Sequence, residues 1–521
     1  MLIEHICGKN TPYKPSLRSA VNGMYLEVTT EDTKVYHVAI PKADLERDDI
    51  VWPDSPSQIV RVVIPAGVIS IGARAFEMCQ MVSVVIPKGV TSIGISAFAI
   101  CARLKDVTIP EGARTIGDAA FAVCRALVQV GLPKSLTTLG VGVFEDCDKL
   151  AGIRIPDGVT LIDADAFRGC TALAEVTIPG SVTRIGREAF RQCASLLAVA
   201  IPEGVTVIEY ATFLGCSSLT SATIPEGVTR IGSCAFESCI SLAAIAIPAA
   251  VATIGRSAFR SCHALAAVKI PVGVTEIAEK TFQECFLLAS VTLPVGVTAI
   301  GSHAFYGCNS LTTLAIPEGM TTIEEKAFRG CGLTSATLPK SLTRIKSETF
   351  AYCTELKWVK AMAPTTLFIE SRAFYFCDAL VSLDLHRPKT VVIVDDAFEV
   401  CDSLQKVNVD RRNGKVDLWN HDQHESNIVP FDYTAYDNRP AYRHVFPTAE
   451  VRLFPNFVDR AAFLQSVQGL ARAGLTGPML RKVMKLTEDS AKPPGSSTKE
   501  YRDWADALLR GVERPRPYVP K

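Results

Sequence analysis

The chain has 521 residues, 48% of them hydrophobic, and its 54 basic side chains are matched by 54 acidic ones. That neutral balance argues against nucleic acid as the main partner, because phosphates select a basic surface. No run of 18 or more apolar residues is present, so no helical membrane span is expected, and the start MLIEHICGKN lacks the apolar core of a secretion signal, so a soluble, cytoplasmic protein is expected.

Residues 1–58 precede a long array. Within them Met24 to Thr29 and Lys34 to Ala39 alternate in polarity about Glu31-Asp32, the pattern of a short hairpin. This region is expected to cap the first coil of a solenoid, whose core edge would otherwise meet water.

From 59 to 409 one string returns at an almost fixed interval. Its form at Leu173 to Cys193 is LAEVTIPGSVTRIGREAFRQC, and its Phe recurs as Phe76, Phe98, Phe121, Phe144, Phe167, Phe190, Phe213, Phe236, Phe259, Phe282, Phe305, Phe328, Phe350, Phe374 and Phe398, mostly 23 residues apart with steps of 22 or 24 at the ends. A period of this size predicts a solenoid of about fifteen repeats. Within a unit the apolar spacing changes from two to a helix-like step, which predicts a strand, a turn and a short helical arc. The Ile/Leu-Pro pair from Ile64-Pro65 to Leu338-Pro339 ends each strand, since Pro has no N–H for the ladder. Glycines two residues after that Pro, such as Gly67, Gly89, Gly112, Gly158 and Gly204, predict a turn that needs permissive backbone angles. One unit buries about seven side chains at roughly 1.5 to 3 kcal/mol each, against about 1 to 2 kcal/mol per ordered residue, so it folds only in a stack. Fifteen coils at about 4.8 Å would make a sheet on the order of 70 Å long.

These units resemble the BspA-like leucine-rich repeat family, whose unit is close to LxxVxIPxxVxxIGxxAFxxC. Leu219, Ile224-Pro225, Val228, Ile231-Gly232, Ala235-Phe236 and Cys239 fit that pattern, which covers about two thirds of the chain. The resemblance implies an α/β repeat solenoid, a right-handed leucine-rich-repeat horseshoe or arc with a parallel β-sheet on one face. It also implies roles in adhesion or protein binding at cell surfaces.

Seventeen cysteines include fifteen that lie three residues after the repeat Phe, Cys170, Cys193 and Cys216 among them; only Cys7 and Cys234 are out of register. A ladder of parallel side chains, odd in number and without a Cys-x-x-Cys pair, is expected to be buried and reduced rather than paired or metal-bound.

Outward strand positions from Ala198 and Ala200 through Ser221 and Thr223 to Ser335 and Thr337 are mostly small and predict a smooth face. On the arc, Arg168, Arg191, Arg260 and Arg329 follow the Phe but are interrupted by Leu214, Glu237 and Tyr306, so a solvated mixed-charge face is expected. Near 350 the steps loosen and larger side chains move outward. Trp358 and Lys360, with Lys357 beside them, then Ser382 with Asp384 and Lys406 with Asn408, have the composition of an interface anchor. The competing expectation is that the following segment covers Trp358.

Residues 410–455 show no clear periodicity and read as an irregular connector covering the last coil. His421, Asp422, His424 and Glu425 lie there, and without a third distant ligand a solvated loop is expected, not a metal site. Residues 456–521 read as a small basic helical module, with helical spacing over 458–474, 476–487 and 499–512 and a Pro517-x-x-Pro520 tail.

With no catalytic constellation and no cofactor motif, the expected function is a non-catalytic scaffold for protein partners, recognition lying at Trp358, Lys357, Lys360, Asp384 and Lys406. The alternatives are an enzymatic or regulatory module at the C-terminal end, for which His421 and His424 are the candidates, and an adhesion protein.

Overall fold

The computed structural model describes residues 59–409, except 65, 386, 389, 395, 405 and some side chains at either end, together with strands at Tyr25–Thr30, Val35–Ala39, Lys415–Trp419 and Glu450–Phe454. Expectations about Cys7, the His421 to Glu425 cluster, the helices of 456–521 and the Pro517-x-x-Pro520 tail lie outside the described residues. The chain forms two compact units, residues 1–319 and 320–521.

In the first unit the hairpin is present: Tyr25–Thr30 pairs antiparallel with Val35–Ala39 and, on its other side, with Ile59–Val63. After that the pairing is parallel, coil on coil. Most coils have two short strands, not one. Ala198–Ala200 pairs with Ser221–Thr223, and Val207–Ile208 pairs with Arg230–Ile231, so that Val199 faces Ala222 and Ile208 faces Ile231 at a constant step. The alternation seen in the sequence places Val199 and Ile208 inside and leaves Ala198 and Ala200 outside. A parallel sheet therefore runs along two sides of the coil, while the Phe segment makes the third.

That third side differs from the helical arc expected from spacing. The residues two before and two after each Phe from Phe76 to Phe374 adopt left-handed backbone angles, for example Glu188 with φ 56° and Gln192 with φ 59°. A helix cannot pass through such residues. Instead the N–H groups alternate in direction. Those of Glu188, Phe190 and Gln192 donate to Tyr210, Thr212 and Leu214 in the next coil at 2.9, 2.9 and 2.6 Å, while those of Ala189, Arg191 and Cys193 donate three residues back, at 3.3, 3.0 and 3.2 Å. Half the arc's donors thus serve the stack and half close tight turns, leaving no run of i to i−4 bonds.

The core is a column of rings. From Phe76 to Phe305 neighbouring centroids are 5.2 to 5.8 Å apart and nearly parallel, and the same holds from Phe328 to Phe398. Beside it stand the ladder thiols, all free and buried; Cys234, out of register, is half-buried. The Sγ of Cys193 donates to the Phe167 carbonyl at 3.2 Å and that of Cys216 to the Phe190 carbonyl at 3.1 Å, one coil back each time.

The glycines carry a correction. Gly67, Gly89 and Gly112 do have φ of 93°, 110° and 104°, but Gly158, Gly204, Gly227, Gly273, Gly296 and Gly319 do not have left-handed angles. The glycine the stack requires is the one after the second-strand Ile. A Cβ on Gly186 would lie 2.4 Å from the Ala164 backbone nitrogen and 2.6 Å from the Asp163 carbonyl carbon, and Gly94, Gly117, Gly232, Gly255 and Gly301 are as tight. Coil packing, not turn angle, selects them.

In the second unit the strands lengthen. Ser335–Leu338, Trp358–Ala361, Ser382–Leu385 and Lys406–Val409 form one parallel sheet; Arg344–Ile345, Thr366–Ile369, Thr390–Val394, Lys415–Trp419 and Glu450–Phe454 form the other. The 24-residue steps read in the sequence supply the longer second strands. Lys415–Trp419 and Glu450–Phe454 fall in the stretch read as an irregular connector. Their alternation of charged and apolar residues is period two, but it spans only five residues each and is separated by thirty others, too little to stand out without the sheet beside it.

Two outcomes test this account. Gly186→Ala should destabilise by about 1 to 3 kcal/mol through overpacking, whereas Gly180→Ala, whose Cβ would meet nothing within 4 Å, should be neutral or slightly stabilising in a denaturant melt. Burial pushes the thiols of Cys79, Cys216 and Cys353 from their ordinary 9.0 up to about 12. Because the folded value is raised, their contribution is complete below pH 9.0 and is lost as pH rises toward about 12. Alkaline titration should therefore show thiolate absorbance appearing together with unfolding. Thiolate appearing while the fold persists would contradict the buried ladder.

Candidate functional site

The parallel register of the second unit brings most of the expected surface together. Trp358 lies in a row with Ser335 and Ser382, which in turn faces Lys406, and Lys360 lies in a row with Thr337, Asp384 and Asn408. The strand Trp358–Ala361 turns Val359 and Ala361 inward and Trp358 and Lys360 outward, so Trp358 is 45% exposed in spite of its size. The segment expected to cover it lies largely outside the described residues. The Lys360 Nζ is 4.0 Å from the Asp384 Oδ2, a partly solvated pair. Lys357 is exposed beside Trp358, and its carbonyl accepts the N–H of Val381 at 2.9 Å. The backbone of Lys406 continues the Trp358 row; its side chain lies outside the described residues.

Three groups of the second unit were missed in the sequence. Val381, exposed and next to Lys357, extends the apolar area around Trp358. On the second sheet the Arg344 guanidinium lies 4.8 Å above the Phe368 ring while also bonding Glu370 at 2.6 Å. On the arc, Tyr352 stacks on Phe376 at 5.3 Å and meets Tyr375 edge-on at 5.4 Å, with the Arg329 guanidinium 4.6 Å from the Tyr352 centroid and Arg372 5.6 Å from Tyr375. A signal was available: the two residues after the Phe are Ala351-Tyr352 and Tyr375-Phe376 here, where the other coils carry no aromatic apart from Tyr306.

The arginines read as an interrupted stripe are paired. Arg168 meets Glu145 at 3.2 Å, Arg191 meets Glu188 at 2.6 Å, Arg260 meets Glu237 at 3.1 Å, and Arg329 meets Glu348. Two carboxyl groups in this row, those of Glu145 and Asp165, are held above their ordinary values chiefly by burial, with the neighbouring arginines acting against it. The row knits coils together and presents no free cation array. Among the described residues no group of three His, Cys, Asp or Glu is placed to hold a metal ion, and no helix is long and apolar enough to cross a membrane.

The sequence pattern of the family described as BspA type Leucine rich repeat region (6 copies) matches residues 55–174, 139–266, 229–357 and 321–417. That is more than half of the chain, and with the stacked coils it shows that this protein belongs to the BspA-type leucine-rich repeat family. No curated protein matches the sequence. Among solved structures, a leucine-rich repeat protein from Bacteroides ovatus is 25% identical, the match covering 73% of this chain and 90% of that one with a TM-score of 0.44. A leucine rich cell surface protein from Faecalibacterium prausnitzii is 23% identical over 81% of this chain and 100% of its own, with a TM-score of 0.32. A leucine rich repeat protein from Treponema pallidum is 28% identical over 40% of this chain and 78% of its own, with a TM-score of 0.27.

If Trp358, Lys360 and Asp384 serve a surface rather than the fold, Asp384→Asn should cost no more than about 1 kcal/mol, as exposed ion pairs do. A thermal melt checks this. A larger loss would place Asp384 among the groups that hold the coils together.

Proposed function

We propose that this protein is a non-catalytic scaffold for protein partners, and that the outward face around Trp358 is a recognition surface. The observation that carries the reading is the exposure of a Trp on a rigid strand, bordered by Val381, Lys357 and the Lys360 and Asp384 pair, where the Trp358 row holds only Ala, Ser or Thr in the coils from Ala198 to Ser335. Binding energy concentrates on such aromatic and cationic side chains, while truncating a surface Thr changes little. The sheet lends the face preorganisation, because its backbone is already fixed before a partner arrives. We extend the reading to a reducing, cytoplasmic setting, supported by ladder thiols that act as hydrogen-bond donors, a role a disulfide would remove.

The test uses a partner isolated with the full chain and then measured by calorimetry against two folded variants. Trp358→Ala with Lys360→Ala should weaken binding by about 2 kcal/mol or more, and Thr177→Ala with Thr223→Ala should not. The reverse result would show that the small-residue face binds and that the Trp358 face does not.

A further inference from the structure

Two rows of the repeat gain apolar side chains in the same three coils of the first unit. The residue after the strand-ending Pro is acidic in the flanking coils, as Glu203, Glu226 and Glu318, but in the coils between them it is Ala249, Val272 and Val295. The residue after the ladder Cys is Ser217 on one side and Asn309 on the other, but between them it is Ile240, His263 and Phe286. These rows border the two ends of the same strands, whose outward residues here are small, such as Ala244, Ala246 and Ala267.

The consequence is an apolar field three coils deep. Val272 is 80% exposed and Val295 91%, and on the opposite border Leu287 is 57% exposed beside Phe286, whose ring stacks on His263 at 4.8 Å. Such side chains gain nothing for the fold at that exposure, and the repeat itself shows that Glu is accepted at the Val272 row. Exposed apolar areas of this kind mark interaction sites. Across this strand side the one fully charged residue is Lys269, at an outward position of Ala267–Lys269 and, among the described residues, without an ion-pair partner.

We infer that this field docks a segment of a partner protein that is apolar around a carboxylate. An apolar occupant removes water from Lys269, and a desolvated ammonium is costly unless an opposite charge meets it. A second copy of the same face would bring another lysine instead. An anionic lipid surface selects clusters of cations, and this field holds one. The inference does not rest on the Trp358 face, which belongs to the other unit.

The experiment presents a random peptide library, displayed on phage, to the full chain, with the variant Val272→Glu with Val295→Glu as the counter-target. That variant should melt as the parent does, since Glu203, Glu226 and Glu318 stand in the same row. Enriched peptides should combine apolar residues with Asp or Glu and lose at least tenfold in affinity for the variant, and Lys269→Glu should redirect enrichment toward Lys and Arg. Absence of enrichment, equal binding to the variant, or enrichment of peptides lacking acids overturns the proposal. So does a dimer in sedimentation that the variant abolishes, which would give the face to a second copy, or phosphatidylserine vesicles that retain the parent and release the variant.

Discussion

Most carbonyls of the Phe ladder between Phe76 and Phe374 take two hydrogen bonds, and the stack depends on that pair. Phe190 O receives the N–H of Cys193 at 3.2 Å from its own coil and the Sγ of Cys216 at 3.1 Å from the next. A buried carbonyl can accept twice, and the second donor must fit beside an apolar ring without bringing a strongly solvated group. A thiol does both, being a small hydrophobe with a weak S–H. This explains why the position is Cys and not Ala. Coil spacing, ring spacing and the thiol bond are one constraint, met again at each step of the stack.

The left-handed residues of the arc follow from the same constraint. A non-Gly residue in that conformation costs roughly 1 to 2 kcal/mol, and each coil from Phe76 to Phe374 holds one or two. The offset lies in what the alternation of backbone angles permits, namely N–H groups that point by turns into the coil and toward its neighbour. The glycine after the second-strand Ile then lets the backbones approach at the corner where the arc begins. Where that glycine is absent the corner is built differently. Thr212, Thr281 and Thr349 stand before the Phe only in coils with Glu209, Ala278 or Lys346 in the glycine's place, and each hydroxyl donates to the carbonyl of that residue at 3.0, 2.8 and 2.7 Å.

The parallel strands, the inward Phe and the ladder of reduced Cys were legible in the sequence because period and polarity are properties of single residues repeated many times. The arc was not, because its apolar spacing is shared by a helix and by a turned segment whose N–H groups leave for the next coil. Gly186 was not, because its role is a distance to Ala164, 22 residues earlier, and the nearby post-Pro glycines offered a more familiar explanation. The Trp358 face was legible through the break in spacing. Tyr352, Tyr375 and Phe376 were not, since in an apolar repeat an aromatic next to the core Phe looks like more core until exposure is known.

A repeat of this regularity carries its own control for function. A residue that recurs, such as Phe190 or Gly186, meets a demand of stacking that its counterparts meet equally. A residue that departs from its row meets no such demand, because the coils on either side fold with the ordinary residue in its place. Val272 and Val295 replace a tolerated Glu, and Trp358 stands where Ser335 and Ser382 suffice in adjacent strands. Each departure leaves apolar surface in water, where it gains nothing for the fold, and burial by a partner would recover about 25 cal/mol per Å². The two departures lie on separate units of the chain and share no residue, so the two proposed faces can be tested independently.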